Sequence, residues 1–272
     1  MNRRLAAFLV VVQLLLKASM AFRMTSFVRS KRRLPTVRNL ASSATVDLSN
    51  LPPVAPSGKR LFLVRHGEVI NPGGDRPVYY GAQDVSLSPL GKDEAKAAAD
   101  CLASVTLARV YASPLSRAIF GAHQVAERQE HLALEDVMIL EGFKELDRGA
   151  WCGQTKDEIG ADAMARFDAC DESVTPKGGE SYPALKRRVL RARDECLSRL
   201  EPGEAGCVVS HLQVTRCMLS DCLGIATNEM AGLKIATASI TCIDYDASGE
   251  QVCHFHSFKP DVGLAVARDG AN

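Results

Sequence analysis

The chain has 272 residues, of which 24% are charged and 46% are apolar, so it is long enough to bury one full hydrophobic core. Its formal net charge of +1 conceals an asymmetry, because residues 1–46 carry nine Lys or Arg and no acid, whereas the remainder carries 24 basic and 32 acidic residues. A basic tail on an acidic body argues against a nucleic-acid-binding domain, whose positive charge would lie on the folded surface, and we expect no nucleic-acid partner.

The basic tail has the order of a targeting sequence. Arg3 and Arg4 precede an apolar run from Leu5 to Leu16, and small residues at 18–21 offer a cleavage site, which predicts a signal peptide at residues 1–21. The apolar run is too short for a comfortable membrane span, so we expect no membrane contact after processing.

Residues 22–46 are rich in Arg and Ser and lack acids, which is typical of an organellar transit peptide. A signal peptide followed by such a segment resembles the bipartite presequences of algae with complex plastids, in which Phe, here Phe22, directly follows the cleavage site. We therefore predict a plastid location, with secretion or retention in endomembranes as the alternatives. With the Pro-rich linker at 51–58, residues 22–58 are predicted to be disordered, ahead of a folded domain at 59–260 and a tail at 261–272.

The nine cysteines lie between Cys101 and Cys253 and form no CxxC pair, so none has the spacing of zinc ligands. Several of them, such as Cys207 and Cys242, lie within apolar runs and are expected to be small core residues. This favours a reducing compartment over the cell exterior, and it leaves open whether one pair is redox-active.

The predicted elements alternate along the chain. They are a strand at 60–64, helices at 88–103 and 114–128 that flank a strand at 109–112, a helix at 181–200, a strand at 206–210, a helix at 214–223, and strands at 239–245 and 252–258. This alternation predicts an α/β layered fold, in which reactive residues lie just past the carboxyl ends of the strands.

Arg65 and His66 directly follow the first predicted strand. A ring nitrogen there can meet a phosphoryl group that the neighbouring guanidinium also binds. Arg117 begins the helix after the second strand, where backbone amides already favour an anion, and His211 follows the strand at 206–210. Each residue alone is weak evidence, but together they predict a cationic pocket for a phosphate dianion that needs no metal.

Six ordered stretches resemble the histidine phosphatase superfamily, in the branch that includes the cofactor-dependent phosphoglycerate mutases. They are residues 63–68, 84–95, 113–118, 144–153, 178–181 and 209–216. The resemblance covers almost the whole chain after the linker. It implies a three-layer α/β/α sandwich with a mostly parallel central sheet.

The resemblance also implies a role for each matching residue. His66 matches the nucleophile that forms a phosphohistidine, and Arg65, Arg117 and His211 match the residues that bind the phosphoryl oxygens. Glu145 matches the acid that protonates the leaving oxygen and then deprotonates water, with Glu141 as the runner-up. No cofactor and no metal are expected.

Substrate binding beyond the phosphate is less determined by the sequence. Asn71 and Lys144 are the predicted contacts, in addition to Arg65, Arg117 and His211 of the phosphate pocket. The mouth of the site could also include Arg148, Arg76, Tyr79 and Tyr80, which suits a small phosphorylated metabolite such as a sugar phosphate or a phosphorylated acid. The oligomeric state and the physiological substrate stay open.

Three departures from the family pattern bear on recognition of the substrate. Leu212 and Gln213 stand where two glycines usually follow the second histidine, and they are expected to narrow the space above the pocket. Arg148 stands where the family often has an aromatic or aliphatic residue, and Cys152 stands where it often has Glu.

The same resemblance separates hydrolysis from transfer. The mutases carry a long insertion that covers the site and excludes water, whereas only 32 residues lie between Glu145 and Gly178 here. We therefore predict a phosphatase. Phosphoglycerate mutase-type transfer and a non-catalytic, phospho-ligand-binding protein are the two alternatives.

Overall fold

The computed structural model of the chain describes residues 46–262. The predicted signal peptide, the transit peptide up to residue 45 and residues 263–272 of the predicted tail lie outside this range. Within residues 46–262, no helix is both long enough and apolar enough to cross a membrane.

The strands and helices follow the predicted alternation. In chain order they are β1 (Lys59–Arg65), α1 (Pro89–Leu102), β2 (Arg109–Ala112), α2 (Ser116–Ala126), β3 (Met138–Ile139), α3 (Lys156–Ile159), α4 (Ala161–Asp168), α5 (Tyr182–Ser198), β4 (Ala205–Ser210), α6 (Leu212–Cys222), β5 (Ile240–Tyr245) and β6 (Gln251–Phe258). All nine predicted elements are present, and their ends differ from the predicted ones by no more than two residues.

The strands form one sheet in the order β3-β2-β4-β1-β5-β6. The strands β3, β2, β4 and β1 pair in parallel, whereas β5 and β6 are antiparallel at one edge. Helices α1 and α2 bury their apolar residues on one face of the sheet, and α5 and α6 bury theirs on the other. The predicted three-layer sandwich with a mostly parallel sheet is therefore confirmed.

The apolar run in β1 reflects its central place in the sheet. Leu61 and Leu63 pack into the core beneath α5 and α6, while Phe62 packs into the core beneath α1 and α2. Side chains alternate between the two faces of a strand, and helices cover both faces of β1. The strand therefore needs apolar residues on both faces.

Two helices begin at the serines that mark them in the sequence. The Ser88 side chain accepts a hydrogen bond from the backbone N–H of Gly91 at the start of α1, and Ser181 accepts one from Ala184 at the start of α5. Each bond satisfies an amide that the first turn of a helix leaves without a partner. The two helices therefore start at defined residues on either side of the sheet.

The segment 22–58, predicted to be disordered, is ordered at residues 48–50. Residues Leu48–Asn50 form a short 3-10 helix that Asp47 caps, and Leu48 is buried against the core beneath α1 and α2. The prediction weighed the prolines at 52, 53 and 56 and the lack of a periodic pattern. Leu48, together with the partly buried Val46 and Leu51, anchors the segment by burying apolar surface against this core.

Helices α3 and α4 and the short strand β3 were not predicted. Thr155 and Glu158 form a capping box at the start of α3, and Gly160 separates it from α4 with a φ of +94°. Met164 and Phe167 of α4 are buried. Both helices are too short for a helical repeat of apolar residues to stand out in the sequence.

Candidate active site

Three parallel strands of the sheet end at one edge and carry the polar residues there. Since β1 and β2 both pair in parallel with β4, His66 after β1, Ser113 after β2 and His211 after β4 emerge side by side. The rings of His66 and His211 meet edge to face, with their centroids 5.1 Å apart. The prediction that both histidines lie at this edge is confirmed.

His66 is held in a defined tautomer. Its ring is 2% exposed, and Nδ1 lies 2.7 Å from the carbonyl oxygen of Gly67. A carbonyl oxygen only accepts hydrogen bonds, so Nδ1 carries the proton and Nε2 keeps the lone pair. Burial lowers the pKa of His66 well below its usual value, and the charges of Arg117 and Arg65 lower it further. The ring is therefore neutral near pH 7, with a nucleophilic Nε2.

His211 is fully buried and bonds to Ser113, whose Oγ lies 2.6 Å from Nε2. Its Nδ1 is buried and has no hydrogen-bond partner among residues 46–262. Burial is also the main reason why the pKa of His211 is well below its usual value, followed by the charge of Arg117. Nδ1 is thus the ring atom that remains available to a bound group.

Arg65 and Arg117 bring two positive charges to the histidines. Nη1 of Arg65 donates to the carbonyl oxygen of Ile235 at 2.6 Å, and Arg117 donates to the carbonyl oxygens of Gln83 and Gly81 at 2.7 and 2.9 Å. Burial lowers the pKa of both guanidinium groups, but from a starting value of 12.5 they stay charged at neutral pH. Nε of Arg117 is buried without a hydrogen-bond partner among the described residues.

Glu145 joins this edge from the loop before α3. Its side chain is buried, with one oxygen accepting from the Leu146 amide at 2.8 Å and the other from the Gln213 amide at 3.3 Å. Since Gln213 lies two residues beyond His211, the second bond ties the carboxylate to the end of β4. Glu145 therefore lies beside the histidines, as predicted from its motif, whereas the runner-up Glu141 is exposed.

Arg188 of α5 holds the backbone that carries Glu145. Its guanidinium donates to the carbonyl oxygens of Gly142, Lys144 and Glu145 at 3.0, 2.7 and 3.1 Å. Glu180 completes the arrangement with two bonds of 2.8 and 2.7 Å to the same guanidinium. This half-buried pair positions the loop of the acid, and we name it the Arg188–Glu180 clamp.

The loop after His66 is held by two contacts. Gly67 and Gly91 cross so closely that a Cβ on Gly67 would lie 2.0 Å from the carbonyl oxygen of Gly91, so no other residue fits. The buried carboxylate of Glu94 accepts from the amide of Glu68 at 2.7 Å and pairs with Lys259. The segment that carries His66 is therefore fixed against α1.

A small cleft, open to solvent, lies beside Glu145. It is lined by Tyr79, Tyr80, Gly81, Glu145, Leu146, Arg148 and Gln213. Tyr79, Tyr80 and Arg148 thus lie at the mouth as expected, whereas Arg76 is exposed and pairs with Glu158. Gln213, one of the residues in place of the usual glycines, occupies part of the wall.

Asn71 and Lys144 are not among the residues that line this cleft. The side chain of Asn71 donates to the carbonyl oxygen of Val78 and accepts from the amide of Gly73, so it shapes its own loop. The backbone carbonyl of Lys144 is a partner of the Arg188–Glu180 clamp. Their assignment to substrate binding stays a prediction.

Sequence reasoning missed three residues that support this site. Ser113 lies within a recognised motif, but only the fold brings its hydroxyl to His211. Glu180 lies in another such motif, whereas Arg188 carries no signal beyond its place in an amphipathic helix. Among residues 46–262, no group of three or more His, Cys, Asp or Glu could hold a metal ion, and the nine cysteines are free thiols.

Known proteins are similar to this chain over the region that forms the sheet and the site. The family model described as the histidine phosphatase superfamily (branch 1) matches residues 61–257. A bifunctional protein of Mycobacterium tuberculosis is 34% identical over 193 residues, which are 70% of this chain and 51% of the relative, so the chain spans about half the length of that protein. Phosphoserine phosphatase 1 of Hydrogenobacter thermophilus is 28% identical over 217 residues, which are 76% of this chain and 99% of the relative.

Solved structures resemble the fold over the same region. YhfR of Bacillus stearothermophilus has a TM-score of 0.63 at 26% identity, over 74% of this chain and 97% of the other. A mycobacterial glucosyl-3-phosphoglycerate phosphatase has a TM-score of 0.62 at 25% identity, over 74% of this chain and 99% of the other.

Proposed function

Since the chain belongs to branch 1 of the histidine phosphatase superfamily, we propose that it is a metal-independent phosphomonoesterase that acts on a small phosphorylated metabolite through a phosphohistidine. One observation carries the proposal. The neutral ring of His66, with its proton on Nδ1 and its lone pair on Nε2, packs edge to face against His211 and lies within the field of the charges on Arg117 and Arg65. A nucleophile without a proton, beside two fixed positive charges, suits attack on a phosphate ester.

In the first step, Nε2 of His66 forms a bond to phosphorus while the bond from phosphorus to the ester oxygen breaks. Glu145 delivers the proton that lets this oxygen leave as an alcohol. Arg65 and Arg117 offset the negative charge on the three remaining oxygens, which these side chains do without reorganising because the fold already holds them.

In the second step, a water molecule in the cleft attacks the phosphohistidine. Glu145 takes a proton from this water, the bond between phosphorus and nitrogen breaks, and inorganic phosphate leaves. His66 returns to its neutral form with the proton still on Nδ1, so the cycle consumes only water. The positive charges of the two arginines take the part that a metal ion plays in other phosphatases.

Hydrolysis is favoured over transfer because the site is open. Between Glu145 and Gly178 the chain forms the short helices α3 and α4 and two single-turn 3-10 helices, and the cleft beside Glu145 reaches solvent. Water that enters there competes with any alcohol for the phosphohistidine. Two relatives support a small phosphorylated metabolite as substrate, because they are named phosphoserine phosphatase and glucosyl-3-phosphoglycerate phosphatase.

The test is turnover of para-nitrophenyl phosphate by wild type and by His66→Ala, in buffer that contains EDTA. We expect wild type to turn over and to carry an acid-labile phosphate on His66, and the variant to lose activity by at least about 10³-fold because no other residue supplies the nucleophile. Equal rates in the two proteins would remove His66 from the mechanism. Loss of wild-type activity in EDTA would contradict the metal-independent mechanism.

The mutase alternative is tested on the phosphorylated enzyme. The isolated enzyme, phosphorylated on His66, is mixed with buffer alone or with buffer that contains 3-phosphoglycerate. The loss of phosphate from the enzyme is then followed with time. We expect the decay rate to be the same in both, with release of inorganic phosphate. Faster transfer to 3-phosphoglycerate than to water would favour the mutase.

We also propose that the first 58 residues direct the protein to a plastid. Their order of basic, apolar and small residues, followed by an acid-free stretch, supports this. A fusion of residues 1–58 to a fluorescent protein is expected to enter the plastid of an alga with complex plastids, and the same fusion with Phe22→Ala is expected to remain outside. Secretion of the first fusion would refute the proposal.

A further inference from the structure

Arg148 is a buried cation that pairs with no carboxylate among residues 46–262. Its side chain is 5% exposed and lines the cleft, and its guanidinium makes no hydrogen bond and no ion pair with any residue in the range 46–262. Nη1 in particular is buried without a partner. Leaving a charge in such a state is costly, and a negatively charged group of a ligand would offset that cost.

Aromatic and backbone contacts hold this guanidinium in place. Its carbon lies 4.6 Å from the centre of the Tyr79 ring and 5.5 Å from that of Phe167. A Cβ on Gly81 would lie 2.7 Å from Cγ of Arg148, so the absence of a side chain at Gly81 makes room for the arginine. Ring faces hold a guanidinium without using its N–H donors, which stay available in the plane of the group.

Arg216, which lies near Arg148, differs from it because its guanidinium already makes hydrogen bonds. Nε of Arg216 donates to the carbonyl oxygen of Leu233 at 2.8 Å, and its Nη1 lies 3.4 Å from the side-chain oxygen of Gln213. The charges of Glu145 and Asp168 also act on Arg216. The cleft therefore presents one cation whose charge the described residues do not offset by direct contact.

We propose that Arg148 is a specificity-determining residue that binds a carboxylate of the substrate while the phosphoryl group lies against His66. The inference rests on the proposed phosphatase function and names its substrate class, a phosphomonoester that carries a carboxylate near the ester oxygen. One unpaired guanidinium balances one negative charge, and its planar donors match the two oxygens of a carboxylate. A second phosphate would instead bring up to two negative charges close to Glu145. Among the described residues that line the cleft, Arg148 is the one cation that could offset them.

The position of Arg148 relative to Glu145 limits the distance between the carboxylate and the ester oxygen of the proposed substrate. Arg148 is three residues from Glu145, and both line the same cleft. Because Glu145 is the proposed acid for the leaving oxygen, a carboxylate on Arg148 belongs to the leaving alcohol. The substrate is therefore compact, with few atoms between the ester oxygen and the carboxylate.

The test compares O-phosphoserine with O-phosphoethanolamine, which differ only in the carboxylate. We expect kcat/KM of wild type to be at least about tenfold higher for O-phosphoserine, and this ratio to fall to about two or less in Arg148→Met, which keeps the length of the side chain and removes its charge. Arg191→Met is the matched control, because Arg191 is exposed on α5, and it is expected to keep the wild-type ratio.

A binding measurement separates this inference from the proposed chemistry. We expect wild type to bind 3-phosphonopropionate at least about tenfold more tightly than propylphosphonate, which lacks the carboxylate, and Arg148→Met to bind the two alike. The Tm of ligand-free Arg148→Met should match or exceed that of wild type, because the substitution removes an unpaired buried charge. An equal ratio in wild type and Arg148→Met, or a preference for fructose 1,6-bisphosphate over both serine and ethanolamine esters, overturns the carboxylate assignment.

The two proposals fail in different ways. If wild type hydrolyses para-nitrophenyl phosphate but does not distinguish the matched pairs, the phosphatase stands and the role of Arg148 falls. If wild type distinguishes the two phosphonates through Arg148 but hydrolyses no phosphomonoester, the carboxylate site stands and the proposed catalysis falls.

Discussion

His66 has a neutral ring in positively charged surroundings, and the second property supports the first. Burial and the two arginines both disfavour protonation, so the charges that would attract a phosphate in the proposed mechanism also keep the lone pair on Nε2 free. The hydrogen bond to the Gly67 carbonyl directs the single ring proton to Nδ1. A histidine on an exposed surface would instead be partly protonated near neutral pH.

Glu145→Gln should separate the two steps of the reaction. With para-nitrophenyl phosphate the leaving group needs little help from an acid, so we expect a burst of about one nitrophenol per active site followed by slow turnover. The steady-state rate should fall by about 10²–10⁴-fold, because no base then activates the water. The burst is measured by rapid mixing and the phosphohistidine by alkaline quench, which preserves its acid-labile bond.

The matched control for this experiment is Glu141→Gln. Glu141 was the runner-up acid in the sequence, and it is exposed four residues away. We expect it to retain the wild-type rate. Full activity of Glu145→Gln together with loss in Glu141→Gln would exchange their roles.

At the scale of the elements, the position of Glu145 depends on helix α5. The Arg188–Glu180 clamp joins the start of this helix to three carbonyl oxygens of the loop that carries the acid. The loop that carries Glu145 belongs to no strand or α-helix, so its backbone groups depend on these bonds. The bonds therefore decide where the Glu145 carboxylate lies.

Glu180→Gln should therefore lower kcat with little change in KM. The amide keeps one acceptor for Arg188 but loses the charge and the second bond, so the loop of Glu145 is held less firmly and kcat is expected to fall by about 10–100-fold. Steady-state kinetics measure this, together with the same nitrophenol burst as in Glu145→Gln. Glu195→Gln on the same helix removes an exposed pair with Arg199 and should have no effect. A loss of stability without a loss of kcat would make the clamp structural only.

At the scale of the whole molecule, the two buried histidines make stability depend on pH. Their pKa values are lowered in the folded state, so the unfolded chain binds more protons once the pH falls below about 6.5. Stability is therefore fully present above this pH and decreases as the pH falls toward the folded pKa values.

Urea unfolding between pH 7 and pH 5 measures this effect. We expect the free energy of unfolding to fall by up to about 1.4 kcal/mol per pH unit for each of the two histidines. The double variant His66→Gln, His211→Gln should show a clearly smaller dependence, since glutamine does not titrate. Carboxylates with lowered pKa values, such as that of Asp244, add their own loss mainly below this window. A dependence as steep in the double variant as in wild type would assign the effect to other groups.

The sequence by itself predicted the layers of the fold and the edge that carries the site. Apolar runs such as β1 and helices that begin at a serine, such as α1, are local patterns. They can therefore be recognised in the sequence without knowledge of the tertiary structure. The expected positions of His66, Arg117 and His211 followed because parallel strands that alternate with helices end at one edge. The short helices α3 and α4 and the anchored Leu48 escaped prediction because single apolar contacts, rather than periodic patterns, stabilise them.

Only the tertiary structure decided how these residues act. The bond between His211 and Ser113 joins residues 98 positions apart, and Arg188 reaches Glu145 across 43 positions. Such pairings depend on how the layers pack, which no local pattern encodes. The same holds for Arg148. Its position in a motif is evident from the sequence, but only the fold shows that no carboxylate among residues 46–262 pairs with it.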